Sequence, residues 1–315
     1  KSFALKTFTY KGHKLAITKI YKDVDETIYF GTDYTLFRYD EKNNTLQPLP
    51  NSDKDTVMRK IIESRVVSII RDTINNHPVL LVSPYGHFLS YYDLVEKRWV
   101  SRIDTTQRFR QRYNVVDNLI RKIYRCKRGL IWLATAKMGL ATWTHDPLPN
   151  LEHLGNNPAD VNTISNNNVY DIAEDNLGNL WISTYGGGLN RFDYATRKFW
   201  HISVTNNLLE GLQVDNHGYI WMISNGNLYR YHPLRNSQTP FDLPDIDKSG
   251  GVRGYIFKDS KGNMLAAGTG YFIEFDPLTV RADTNQPEVY LTDFKIFDQS
   301  YSDLLMRDLI ELKHN

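Results

Sequence analysis

One segment constrains this chain more than any other, because it is written several times. Val169–Phe192, VYDIAEDNLGNLWISTYGGGLNRF, reads as strand, tight turn, strand, glycine turn, strand, and KFWHI at 198–202 adds a fourth strand. Short runs of Val, Ile and aromatic residues bounded by Gly, Asn and Asp are strand-and-turn composition. The second strand recurs as IYFGT (28–32), LLVSP (80–84), IWLAT (131–135), LWIST (180–184), IWMIS (220–224) and MLAAG (264–268). Its anchors Tyr29, Leu81, Trp132, Trp181, Trp221 and Leu265 lie 52, 51, 49, 40 and 44 residues apart. A unit of this kind cannot bury its faces alone, so its copies must stack.

Four antiparallel strands at a spacing of ~40–50 residues describe a propeller blade rather than the shorter rung of a β-solenoid. The expected class is all-β, a β-propeller of four-stranded antiparallel blades over residues 1–286. Six blades are legible, and residues 1–10 are expected to supply the last strand of a seventh sheet, closing the ring. After Asp276-Pro277 the pattern changes to a single alternating stretch, QPEVYLTDFKIFD. About thirty residues cannot build a core of their own, so 287–315 is expected to be the truncated start of a further domain.

Composition excludes several classes. The single cysteine, Cys126, rules out an internal disulfide framework, a cysteine zinc site and an iron–sulfur cluster. No run reaches the ~18 apolar residues of a membrane span, and KSFALKTFTY lacks the apolar region of a secretory signal. The expectation is a soluble, mature or excised piece.

Catalytic and cofactor motifs are absent. The glycine run TYGGGL (184–189) continues into a strand, not into the Gly-Lys-Ser/Thr and helix of a phosphate loop, so it reads as a hairpin. The D-x-x-G turns supply too few oxygens for calcium and read as hairpin turns. The 9 histidines form no H-x-x-x-H pair, and no serine sits in a G-x-S-x-G elbow. Neither a catalytic residue nor a metal or cofactor is assigned. Trp132, Trp181 and Trp221 are expected to pack between sheets, and Cys126 to be a buried, inert thiol.

Charge is even except between residues 102 and 128, where nine Lys and Arg face only Asp104 and Asp117. Arg108, Arg110, Arg112 and Tyr113 fall in the loop leading into the third blade, on the end where propeller ligands usually sit. Alternation would point the three arginines the same way in an extended segment. They could hold an acidic ligand bidentately, or form a solvated or interface loop. The overall charge of +2 argues against nucleic acid. The loops from second to third strands open at that end too, and carry Asp33, Tyr85, Lys137, Tyr185 and Asn225. Such a ring suits sugar hydroxyls and apolar sugar faces.

The segment NNNVYDIAEDNLGNLWISTYGGGLNRFD (166–193) closely resembles the two-component regulator propeller repeat, through Asn168, Val169, Ile172, Asp175, Gly178, Trp181, Thr184, Gly187 and Leu189. The third, fifth and sixth blades match in part, whereas Tyr29 and Leu81 stand where that repeat has Trp. PEVYLTDFKIF resembles the opening of the Y_Y_Y β-sandwich domain that follows such propellers. The resemblance implies the periplasmic sensor of a hybrid two-component regulator, part of an inner-membrane protein. It implies an oligosaccharide ligand, acidic or neutral, and dimerisation in the full sensor. Its neighbours would be a preceding propeller and a following sandwich, with the histidine kinase elsewhere. The competing readings are a protein-interaction propeller without a small ligand and a propeller lyase or glycosidase.

Overall fold

The computed structural model describes residues 7–50, 62–87, 89–100, 119–144, 150–241, 251–268, 271–281, 295–296 and 299–300. The chain divides into two compact units, Lys1–Arg281 and Ala282–Asn315.

The first unit is a propeller of six blades. Five are four-stranded antiparallel sheets in simple sequence order. Blade one runs through Ile17–Lys22, Ile28–Thr32, Leu36–Asp40 and Thr45–Pro48. Blade two comprises Val66–Ile74, His77–Pro84, Ser90–Asp93 and Arg98–Val100. Blade three comprises Ile120–Arg125, Ile131–Thr135, Leu140–Thr144 and Asn150–Leu154. Blade four comprises Val169–Glu174, Leu180–Thr184, Gly188–Asp193 and Lys198–Ile202. Blade five comprises Leu209–Val214, Ile220–Ser224, Asn227–His232 and Ser237–Phe241. Blade six has three strands among the described residues, Val252–Lys258, Met264–Gly268 and Tyr271–Phe275.

The expectation of seven blades is corrected to six. Thr9–Tyr10 does not complete another sheet but pairs with His13–Lys14. Lys11 and Gly12 both take positive φ, 50° and 82°, the geometry that joins two strands in the shortest hairpin. Aromatic contacts hold this hairpin on blade one: the Tyr10 and Phe37 ring centroids lie 5.1 Å apart, those of Phe8 and Phe30 5.9 Å. A local turn and local stacking therefore win over a long-range closing strand. In the second unit Lys295–Ile296 pairs with Gln299–Ser300; the rest of the strand expected over 289–297 lies outside the described residues.

The core sits between blades. Second strands of blades three, four and five are buried at every position, because neighbouring sheets cover both faces; such strands read as short unbroken apolar runs. One cluster joins Val79 and Leu81 of blade two to Ile123 and Leu133 of blade three. Trp132 of blade three packs with Ile172 and Phe192 of blade four. Trp181 of blade four packs with Leu212 and Tyr231 of blade five. The three tryptophans and Cys126 are all buried, as expected.

Candidate functional site

The first strands are mutually adjacent around the propeller axis, in sequence order from blade one to blade six. Each is irregular just inside its start, by one extra residue in blades one to five and two in blade six. Pairing with the second strand slips between Ile17 and Lys19, Val66 and Ser68, Ile120 and Lys122, and Val169 and Asp171. It slips again between Leu209 and Leu212 and between Val252 and Ile256. A bulge frees one residue from the ladder and re-aims its neighbours. Here it delivers polar side chains where a regular inner strand would be half apolar.

Three of these residues assemble. The Arg121 guanidinium lies 4.7 Å over the Tyr170 ring and donates to Asn168 Oδ1 at 3.0 Å. Tyr255 from blade six stacks 6.1 Å from Tyr170 and donates its hydroxyl to the Arg121 carbonyl at 3.3 Å. Tyr185, at the tip of the turn after the second strand of blade four, adds its ring 6.5 Å from Tyr170. Burial is the main cause that raises the Tyr170 and Tyr255 hydroxyls above the ordinary phenol value, so at neutral pH they act as hydrogen-bond donors, not bases. Arg121 Nε is buried with no hydrogen-bond partner among the described residues. The cluster can stack on an apolar ring face and donate to hydroxyl or carboxylate oxygens.

The five sequence candidates in these turns, Asp33, Tyr85, Lys137, Tyr185 and Asn225, are all exposed. Three of their backbones are tied to the residues that lead into first strands: Asp33 N donates to Ala16 O, Tyr85 N to Arg65 O and Tyr185 N to Asn168 O, at 2.7–3.0 Å. The turns therefore ring one end of the propeller. Among the described contacts only Tyr185 joins the Arg121–Tyr170 cluster; Asp33 instead caps Ala16 N at 3.0 Å. Arg108, Arg110, Arg112 and Tyr113 lie outside the described residues.

Three described residues of the basic stretch, Lys122, Arg125 and Lys127, hold blades together. Lys122 pairs with Asp171 of blade four and donates to Ile172 O at 2.7 Å. Arg125 pairs with Asp72 of blade two. Lys127 reaches Glu174 Oε2 through its backbone N at 2.7 Å and Asp175 O through Nζ at 2.9 Å. Asp171, which is almost wholly buried, also accepts from Leu212 N of blade five at 3.0 Å. One carboxylate thus ties three blades.

The D-x-x-G turns are hairpins. Asp175 Oδ1 accepts from Leu177 N and Asn179 N, and Oδ2 from Asn179 Nδ2 and Trp181 Nε1, all at 2.8–2.9 Å. Asp215 repeats this with His217 N, Tyr219 N and Trp221 Nε1. These oxygens serve the turn and the tryptophan. TYGGGL is likewise a hairpin, with Gly186 and Gly188 at φ 116° and 75°.

Lys19, Tyr170, Asp171 and Tyr255 were not candidates from sequence. Their signal is positional: polar residues one to three places after the aligned apolar residues Ile17, Val169 and Val252. Recognising it requires knowing that this strand is the innermost.

Residues 163–186 match the two component regulator propeller family. Histidine kinase P4 of Formosa agariphila is 23% identical over 296 residues, 90% of this chain and 20% of its own length. Among solved structures, the extracellular domain of a putative one component system from B. thetaiotaomicron superposes with a TM-score of 0.60 at 17% identity, over 86% of this chain and 35% of that one. The extracellular domain of a putative hybrid two component system from the same organism gives 0.58 at 15% identity, over 79% of this chain and 38% of that one. The chain spans about a fifth of the curated relative and about a third of these structures. At such identities the structural likeness establishes the fold.

Proposed function

We propose that this chain is the ligand-sensing propeller of a hybrid two-component regulator, and that it recognises an oligosaccharide on the end ringed by Asp33, Tyr85, Lys137, Tyr185 and Asn225. The observation that carries the reading is the composite one at that end. Tyr185 lies within the regulator-propeller repeat at 163–186 and next to the guanidinium–tyrosine cluster, whose chemistry suits stacking on sugar and donation to its oxygens. Binding there would be passed to a histidine kinase module elsewhere in a longer protein, in line with the share of the curated kinase that this chain spans. The extracellular origin of the structural neighbours supports a periplasmic setting. A preceding propeller, a following sandwich and a second copy are the partners proposed. Sensing needs only a difference in ligand affinity between two states of the assembly, so no turnover is expected.

Calorimetric titration with oligogalacturonides as acidic probes and xylo-oligosaccharides as neutral ones tests this, on wild type, Tyr185→Ala and Arg110→Ala at two salt concentrations. The reading requires that one class bind and that Tyr185→Ala weaken it. If the class is acidic, Arg110→Ala and salt should weaken it too. Release of shortened products from either probe would replace the sensor with an enzyme.

A further inference from the structure

The inner strands of blades one, two and three line an open cavity of about 450 Å³ whose lining includes Lys19, Ser68, Arg71, Lys122 and Arg125. Four of these side chains are cationic, and no carboxylate is among the lining residues. Three of the cations are already paired: Arg71 with Asp23, Lys122 with Asp171 and Arg125 with Asp72. Lys19 has no acceptor among the described residues. Its ammonium instead lies 5.4 Å over the Tyr255 ring and 5.5 Å over the Phe257 ring of blade six. The Ser68 hydroxyl accepts from Ile123 N at 3.0 Å and has no acceptor for its own proton among the described hydrogen bonds.

We propose that this axial cavity is an anion site that takes a single oxyanion, a carboxylate or sulfate, with Lys19 as its cationic ligand and Ser68 as a second donor. A half-buried ammonium resting only on aromatic faces is a charge short of a counter-ion. Its surroundings agree: burial first, and then the nearby Lys122 charge, lower the Lys19 ammonium to about 8, with Asp171 acting the other way. An oxyanion beside Lys19 would neutralise the excess charge and give both donors a partner. The volume falls in the range of small-ligand pockets, so the oxyanion could be a free inorganic ion or the acid group of a sugar. The site touches the guanidinium–tyrosine cluster through Tyr255, but anion binding at Lys19 does not require that the ringed end bind a sugar.

Thermal unfolding and calorimetry of the intact chain test it, with sodium sulfate, sodium glucuronate and glucose as probes and sodium chloride at matched ionic strength as the reference. At pH 7 sulfate or glucuronate should raise the melting temperature beyond chloride, and glucose should not. Lys19→Met should weaken that binding at least tenfold, while Lys19→Arg, which keeps the charge, should retain it. Raising the pH from 7 to 9.5 should also weaken it, because Lys19 loses its proton; Lys122, Asp171, Tyr255 and Phe257 are the groups that face it. Stabilisation by glucuronate alone would assign the site to a sugar acid, and by both anions to the oxyanion itself. Absence of anion-specific stabilisation in wild type and Lys19→Arg, or equal stabilisation in Lys19→Met, would overturn the site.

Discussion

Blades four and two are the same four-strand unit held by different means. In blade four the first turn closes on itself. Asp175 takes two backbone N–H groups, an amide and the Trp181 indole. In blade two that turn is the pair Asn75-Asn76, both left-handed at φ 50° and 63°, and Leu81 stands six residues on, with no indole to hold. Its nearby charges reach sideways, Arg71 to Asp23 of blade one and Asp72 to Arg125 of blade three. The repeat signature is thus an internal latch, which blade four has in addition to the Asp171 ion pair with blade three, whereas blade two has the charge pairs between blades without the latch. Those same charges leave the axial cavity lined with cations.

The largest expected effect falls on the latched side. Trp181→Ala should cost about 3–5 kcal/mol in chemical denaturation, because a fully buried indole is replaced by a void. Asp171→Ala should cost a similar ~3–5 kcal/mol, since it strands Lys122 in a partly buried position and frees Leu212 N. Losses below about 1 kcal/mol for both would remove the distinction between the two kinds of blade.

Next is a pH effect on the unlatched side. Lys19 has a folded pKa near 8, below its unfolded value of 10.5. The unfolded chain therefore binds more protons between those values, and the stability contribution of Lys19 rises with pH across that window. Lys19→Met should be more stable than wild type below pH 8, by roughly 1–3 kcal/mol, and the gap should close toward pH 10.5. A gap that does not change with pH would place the ammonium in water.

The smallest effect concerns blade three, which is intermediate. Cys126 occupies the place of the latch aspartate, six residues before Trp132, and the buried Trp132 indole nitrogen has no carboxylate or amide acceptor among the described residues, only the nearby Tyr194. Cys126→Asn should offer it an acceptor and stabilise the protein by up to about 1 kcal/mol. Asp175→Asn in blade four, by contrast, should destabilise.

Much of this was legible in the sequence because the latch is local. Asp175, Gly178 and Trp181 lie within one turn, and their spacing alone gave strands, turn and burial. The blade count was not, because it depended on whether residues 1–10 would join a distant edge or fold back, and Gly12 with its neighbouring aromatics decides that locally. The axial cluster was hidden for another reason. Lys19, Arg121, Tyr170 and Tyr255 come from four blades, up to 236 positions apart in the chain, and a bulge that shifts register by one residue breaks the alternation by which a strand's faces are read. Of the sequence candidates, Tyr185 reached that cluster and Asp33 became a cap.

Signature residues hold the propeller, whereas the exposed turns at its ringed end contribute little to its stability. Thermal unfolding of Asp175→Ala beside Tyr185→Ala tests it most directly. Loss of the latch should cost roughly 2–3 kcal/mol, and at about 2–4 °C per kcal/mol the first variant should melt several degrees below wild type. Tyr185→Ala, at an exposed turn, should melt within about 1–2 °C of it. Equal losses in the two variants would contradict the claim, because the ringed end would then be part of what holds the fold together.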